Sequence, residues 1–221
     1  MITFKTKLKS FNVPNSWLDL TFKEYLELTN IESPIEQVKK LTGLNDFELA
    51  TIDIEPILNA LEFLKDDTDS IELNDYINDT TTLPIDIGEH SFEKKINVVD
   101  AIAENNIIET IKIYSNVDVS DHNCYDVFGN FNFITNQVKE ILTKEIELLK
   151  SSVTYEQQLA GVDEFDKLGH FNTIDNIAQK YNYTHAEVEQ LPYNLVFLIL
   201  LKSNISSKFE ERYSKVIQNK K

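Results

Sequence analysis

One cysteine, one methionine, one tryptophan and five glycines are all that 221 residues hold of those four types. A lone thiol, Cys124, excludes an internal disulfide and fits a reducing compartment. Scarce glycine argues against loops that cradle phosphates and against folds built from many tight turns. No Walker A, GxGxxG or G-x-S-x-G pattern occurs. The longest apolar run, Leu195–Leu201, has seven residues, against the ~20 that a bilayer-spanning helix needs. Met1–Lys7 lacks the apolar stretch of a secretory leader. The expectation is a cytoplasmic protein with no membrane partner. Positive charge is also short: 21 Lys+Arg face 37 Asp+Glu, a net charge of -16. Such a surface repels phosphate backbones, so no nucleic-acid partner is expected. The basic residues Lys215, Lys220 and Lys221 read as a solvated terminal tail.

What remains is an ordinary globular composition, 42% hydrophobic and 26% charged. A chain of this length buries roughly 70% of its unfolded surface and builds a core without staples. Helix starts are frequent. Thr21–Glu24 and Thr184–Glu187 have capping-box spacing, Ser33-Pro34-Ile35-Glu36 adds proline at the first helical position, and Asn45 and Glu55-Pro56 open further helices. Gly43 sits where a left-handed helix end belongs. Residues 2–8 alternate as a short strand, and Leu83–Ile87 before Gly88 reads as one arm of a central β-hairpin within 71–98. Val98–Tyr114 and Phe133–Leu149 have helical spacing, with 116–130 as a polar connection between them. Pro192 opens a last helix whose first half, Leu195–Leu201, is apolar on every side and therefore demands cover. No internal repeat is visible. The expected fold is mainly α with a minor β element. It divides into 1–66 (a strand plus a helical subdomain), 67–130 (an insert with the hairpin and a helix) and 131–221 (a second helical subdomain).

Chemistry has little to stand on. His90, His122, His170 and His185 are never three or four residues apart, so a paired-histidine metal helix is absent. Asp118, Ser120, Asp121 and His122 lack the glycine and distal glutamate of a calcium loop, and so do Asp66, Asp67 and Asp69. Cys124 near His122 lacks any sequence signature of a nucleophile and reads as a small apolar residue. The expectation is no catalytic residue, no metal and no cofactor: not an enzyme. Aromatic and apolar side chains at cap-adjacent or helical positions, Trp17, Phe22, Tyr25, Phe171, Tyr193, Phe197 and Leu198, are the candidates for a partner-binding surface.

Two segments carry a resemblance. The opening strand Ile2–Leu8, the pattern Trp17, Leu20, Thr21, Tyr25, and the turn Leu41-Thr42-Gly43-Leu44 resemble the start of phage tail assembly chaperones and of baseplate-hub assembly proteins of T4-like phages. The close is similar to the same group: Phe171-Asn172-Thr173-Ile174, Tyr183, Glu187-Val188 and Leu191-Pro192-Tyr193. The likeness covers about half the chain, at its two ends, and residues 66–130 match no pattern of the group. It implies a non-enzymatic morphogenesis protein that binds a phage tail or baseplate protein in the host cytoplasm. The alternative it implies is a structural virion component, such as a hub, neck or tail-completion subunit. A second copy of the chain is the other expected partner.

Overall fold

The computed structural model describes residues 1–5, 10–77, 85–150 and 155–218. Two strands, β1 (Ile2–Lys5) and β2 (Ser10–Val13), pair antiparallel with Ile2 opposite Val13 and Phe4 opposite Phe11. Helices α1 (Phe22–Thr29), α2 (Pro34–Thr42), α3 (Asp46–Leu49) and α4 (Glu55–Ala60) follow. Then come α5 (Phe92–Ala103), α6 (Ile107–Ser115), α7 (Cys124–Leu149), α8 (Tyr155–Leu159), α9 (His170–Tyr181), α10 (His185–Glu189) and α11 (Tyr193–Gln218). The fold is mainly α with a minor β element, as expected. It forms two compact units, each discontinuous in sequence: Met1–Leu83 with Asn106–Ile134, and Pro84–Asn105 with Thr135–Lys221.

In the first unit the core is aromatic. The Trp17 ring meets Phe63 at 4.9 Å and Phe128 at 5.3 Å, both edge-on, and Tyr25 meets Phe128 at 5.3 Å. Val13, Val38, Ile57 and Leu61 form a neighbouring apolar cluster. Residues 68–77 have almost no regular structure, so their backbone groups need partners elsewhere. Side chains of α7 supply them. Buried Asn130 donates to the Asp75 carbonyl at 2.6 Å and accepts from the Ile77 amide at 3.1 Å. Asn132 donates to the carbonyls of Thr68 and Ile71 at 2.7 and 3.0 Å. Gly129 lets the strap lie close, since a Cβ there would stand 2.6 Å from the Glu72 carbonyl oxygen.

In the second unit Phe92, Ile174, Ile177, Val188, Tyr193 and Val196 form the buried core. Thr184 and Glu187 make the expected reciprocal capping box at the start of α10. The apolar start of α11 is covered on one side only: Val196 is buried, while Leu195 and Leu198 face outward.

Each unit is held by the same device. In the first, the Phe22 amide donates to the His122 carbonyl at 2.8 Å, and the Cys124 amide returns to the Leu20 carbonyl at 2.8 Å. In the second, Phe92 donates to Leu191 at 2.9 Å, and Tyr193 returns to His90 at 2.8 Å. The hydroxyls of Thr21 and Ser91 cap the short helix in the two cases. A buried phenylalanine opens that helix each time, and a helix ended by a left-handed asparagine, Asn116 or Asn182, comes before the long one, with α10 in between in the second unit only. The long helices α7 and α11 each have 26 residues, with a fully buried valine at the fourth position, Val127 or Val196. The chain thus repeats a structural plan that its sequence does not display.

Several expectations are corrected. Of the central hairpin, residues 78–84 lie outside the described residues, while Ile87–Glu89 is a 3-10 turn and 92–103 is helix. Asp86 and Ser91 side chains cap those two elements, through Gly88 and Lys94 amides, which is incompatible with a strand pair. The polar connection 116–130 ends at Asn123, because Cys124 already starts α7. The 98–114 helix is two helices, broken at Asn105 with φ 53°. The expected first strand is present over Ile2–Lys5, and its residues 6–8 lie outside the described residues. Ser33 precedes α2 without making its cap bond, and the Glu36 side chain pairs with Lys39 rather than closing a capping box. Two discontinuous units replace the three consecutive segments.

Inside an exposed helix alanine is favoured over glycine by about 1 kcal/mol, so the strap reverses a familiar sign. Gly129→Ala is expected to lower the urea-derived unfolding free energy by about 1–3 kcal/mol through overpacking. Gain of stability would refute the close approach of Glu72.

Candidate functional site

Sequence patterning puts two charges where apolar residues belong. Lys95 falls in the row Phe92, Lys95, Val98 of α5, and Glu145 in the row Val138, Ile141, Glu145 of α7. The structure brings them together inside the second unit. The Lys95 ammonium, 2% exposed, lies 3.1 and 3.4 Å from the two Glu145 oxygens. Tyr193, the first residue of α11, donates its hydroxyl to Glu145 at 2.5 Å, and its ring lies 4.8 Å from the Lys95 nitrogen. Burial and the Glu145 carboxylate push the Tyr193 phenol up, so it stays protonated and donates. Each member of the trio answers another, and together they tie α5, α7 and α11.

A cavity of about 250 Å³ adjoins this trio, lined by Asp86, Gln137, Lys144, Tyr193, Asn194 and Phe197 among others. Three of its polar groups have partners: Tyr193 donates to Glu145, Asp86 accepts from the Gly88 amide, and Gln137 accepts from the Ile87 amide at 2.8 Å. Removing one member of a buried ion pair strands the other, at about 3–5 kcal/mol. The geometry is that of a clamp.

The remaining polar candidates are also accounted for. Burial, with the Glu24 charge behind it, pushes the Cys124 thiol up to about 12, so at neutral pH it is a thiol and no nucleophile. Asp118 is held below the usual carboxylate range by the Ser120 hydroxyl and amide, at 2.6 and 2.9 Å, a closed turn. Among the described residues no three His, Cys, Asp or Glu side chains converge as a metal site. No helix among them is long and apolar enough to cross a membrane.

Of the expected partner-binding residues, Trp17, Phe22 and Tyr193 are buried. Their rings fill the two cores, which corrects their assignment to a surface. Tyr25 and Phe197 are half-buried against those cores. Phe171 and Leu198 are exposed. The larger surface was not expected. Of twenty-one exposed large apolar side chains among the described residues, fifteen belong to the second unit and seven of these to α11. Every residue from Ile205 to Gln218 is exposed. The sequence signal for this arm is the spacing Ile205, Phe209, Tyr213, Val216, one face of a helix. Arg212, the sole arginine of the chain, lies beside it.

Compared with protein-family models, with curated proteins and with solved structures, the chain matches none.

Two outcomes follow. Glu145→Leu is expected to destabilise the protein by about 3–5 kcal/mol, because the Lys95 charge is left buried; adding Lys95→Met restores most of the loss. Thermal and urea unfolding of the single and double variants check this, and a double variant no better than the single would contradict the clamp. The second concerns His90, which burial and nearby Lys94 lower from 6.5 to about 4. Between those values the unfolded chain binds the proton and the folded one does not, so stability falls as pH drops from 6.5 towards 4 and levels off below. Urea midpoints across that range should show this slope, and His90→Gln should flatten it.

Proposed function

We propose that this protein is a non-enzymatic morphogenesis factor that binds a phage tail or baseplate protein during assembly in the host cytoplasm. The observation that supports the reading is the projecting, outward-facing apolar surface of α11, together with the resemblance at the two ends of the chain. Exposed apolar patches rimmed by polar residues mark interaction sites, and strong net negative charge keeps such a protein dispersed before it meets its client. The residues that carry the resemblance have clear physical work in the fold. Thr21 and Glu24 close the capping box of α1. Gly43 supplies the left-handed end of α2 at φ 62°. Pro192 pairs with Ser91 where α11 begins. The polar trio, whose members bond one another, supplies stability in this reading and no turnover.

Quantitative proteomics of purified particles decides between this role and that of a structural virion component such as a hub, neck or tail-completion subunit. The expected result is absence from the particle, with co-purification of one tail or baseplate protein from infected cells. Stoichiometric copies per particle would replace the assembly-factor reading with the structural one.

A further inference from the structure

We infer that the outer part of α11 docks lengthwise into an apolar groove, edged by carboxylates, on a different protein. The inference deepens the assembly-factor reading by naming the docking element and the chemistry of its partner, and rests on that reading only for the partner's identity. Leu195, Leu198, Ile205, Phe209, Tyr213 and Val216 are all exposed. At 3.6 residues per turn they fall within an arc of about 80°, a row about 30 Å long that exposed Lys202 interrupts between Leu198 and Ile205. The Phe209 and Tyr213 rings stack at 5.9 Å, making one flat apolar surface. The arm is rooted, not loose: Asn204 donates to the Leu148 carbonyl at 2.7 Å, and Lys208 to the Lys150 carbonyl at 2.9 Å.

Charge selects the occupant. Lys208, Arg212 and Lys215 lie along one edge of the row, while the other edge carries Ser203, Ser206 and Glu210. Lys215 pairs with Glu211 at 2.5 Å, so among the described residues Lys208 and Arg212 are the cations this edge leaves without a carboxylate, in a chain of net charge -16. Arg212 bonds through Nε to the Lys208 carbonyl at 3.0 Å and forms no ion pair among the described residues. Arginine beside stacked aromatics is a combination enriched at interface hot spots, and its fork suits a carboxylate. A second copy fits less well. Antiparallel twofold pairing of two arms sets the basic edge against itself, parallel pairing offers one glutamate to the two cations that Glu211 does not compensate, and the whole chains repel. A membrane fits less well too, since the apolar arc is narrow and Glu210, Glu211 and the acidic body oppose anionic lipid.

The test places a photo-crosslinking phenylalanine analogue at Phe209, or at Ser214 on the opposite face, in the full chain within cells that naturally produce it. Adducts are mapped by mass spectrometry. The expected result is one protein joined through position 209 and not 214, at an apolar segment flanked by Asp or Glu. With that protein purified, Phe209→Asp should weaken binding about 100-fold, and Arg212→Glu about 10-fold at low salt with the difference shrinking as salt rises. Both sites are exposed, so circular dichroism of the variants should match the parent. A partner that is no tail or baseplate protein would sink the functional reading and leave the docking inference standing. A tail protein joined elsewhere on the chain would do the reverse. An adduct with a second copy, flotation of the chain with vesicles containing anionic lipid, equal adducts at 209 and 214, or no adduct at 209 would each overturn the inference.

Discussion

Everything else in this molecule is arranged around two pairs of backbone hydrogen bonds. In each unit the first residue of a 26-residue helix returns its amide to the residue just ahead of a short capped helix, and that short helix answers with its own first amide. Helix starts leave amides without intrahelical partners, and here two starts satisfy each other. The bond pair fixes the angle at which the buried phenylalanine, Phe22 or Phe92, enters the core beside the long helix. Once that angle is set, the ring cluster around Trp17 and the apolar cluster around Val196 have little freedom in how they close.

The two units differ in what fills the space beyond the shared device. The first uses rings, with Tyr25 and Phe128 packed against Trp17. At the matching places the second has Lys95 and Phe197, and a carboxylate from further along α7 compensates the lysine. A tyrosine opens α11 where a cysteine opens α7. The consequence is that one unit is held by dispersion and ring geometry, insensitive to charge, while the other depends on an ion pair that tolerates only concerted change.

How much of this the sequence discloses depends on the kind of signal. Caps are local, so the starts at Thr21, Asn45 and Thr184 are legible from residues three apart, and so are the left-handed end at Gly43 and the break at Pro192. The hairpin expectation fails because Leu83-Pro84-Ile85-Asp86-Ile87 alternates for a reason other than pleating: Asp86 is polar in order to cap a turn. The start of α7 is hidden because its residues are chosen for a strap; Gly129, Asn130 and Asn132 look like loop residues while serving a loop from within a helix. The clamp is half legible. A lysine and a glutamate each interrupt an apolar row, but only the fold shows that the two rows face each other. The repeated plan is invisible because backbone bonds, which any residue can make, carry most of it.

The depth of Cys124 has a practical corollary. Cys124 is fully buried at the first position of α7 and holds its proton, so alkylating reagents at neutral pH find no reactive thiolate on the parent chain. Any cysteine introduced on the surface is then the sole labelling position, with no need to replace the native residue. With two introduced cysteines, one on each unit, both labels go to chosen positions, and the distance between the two bodies of the chain becomes directly measurable in solution.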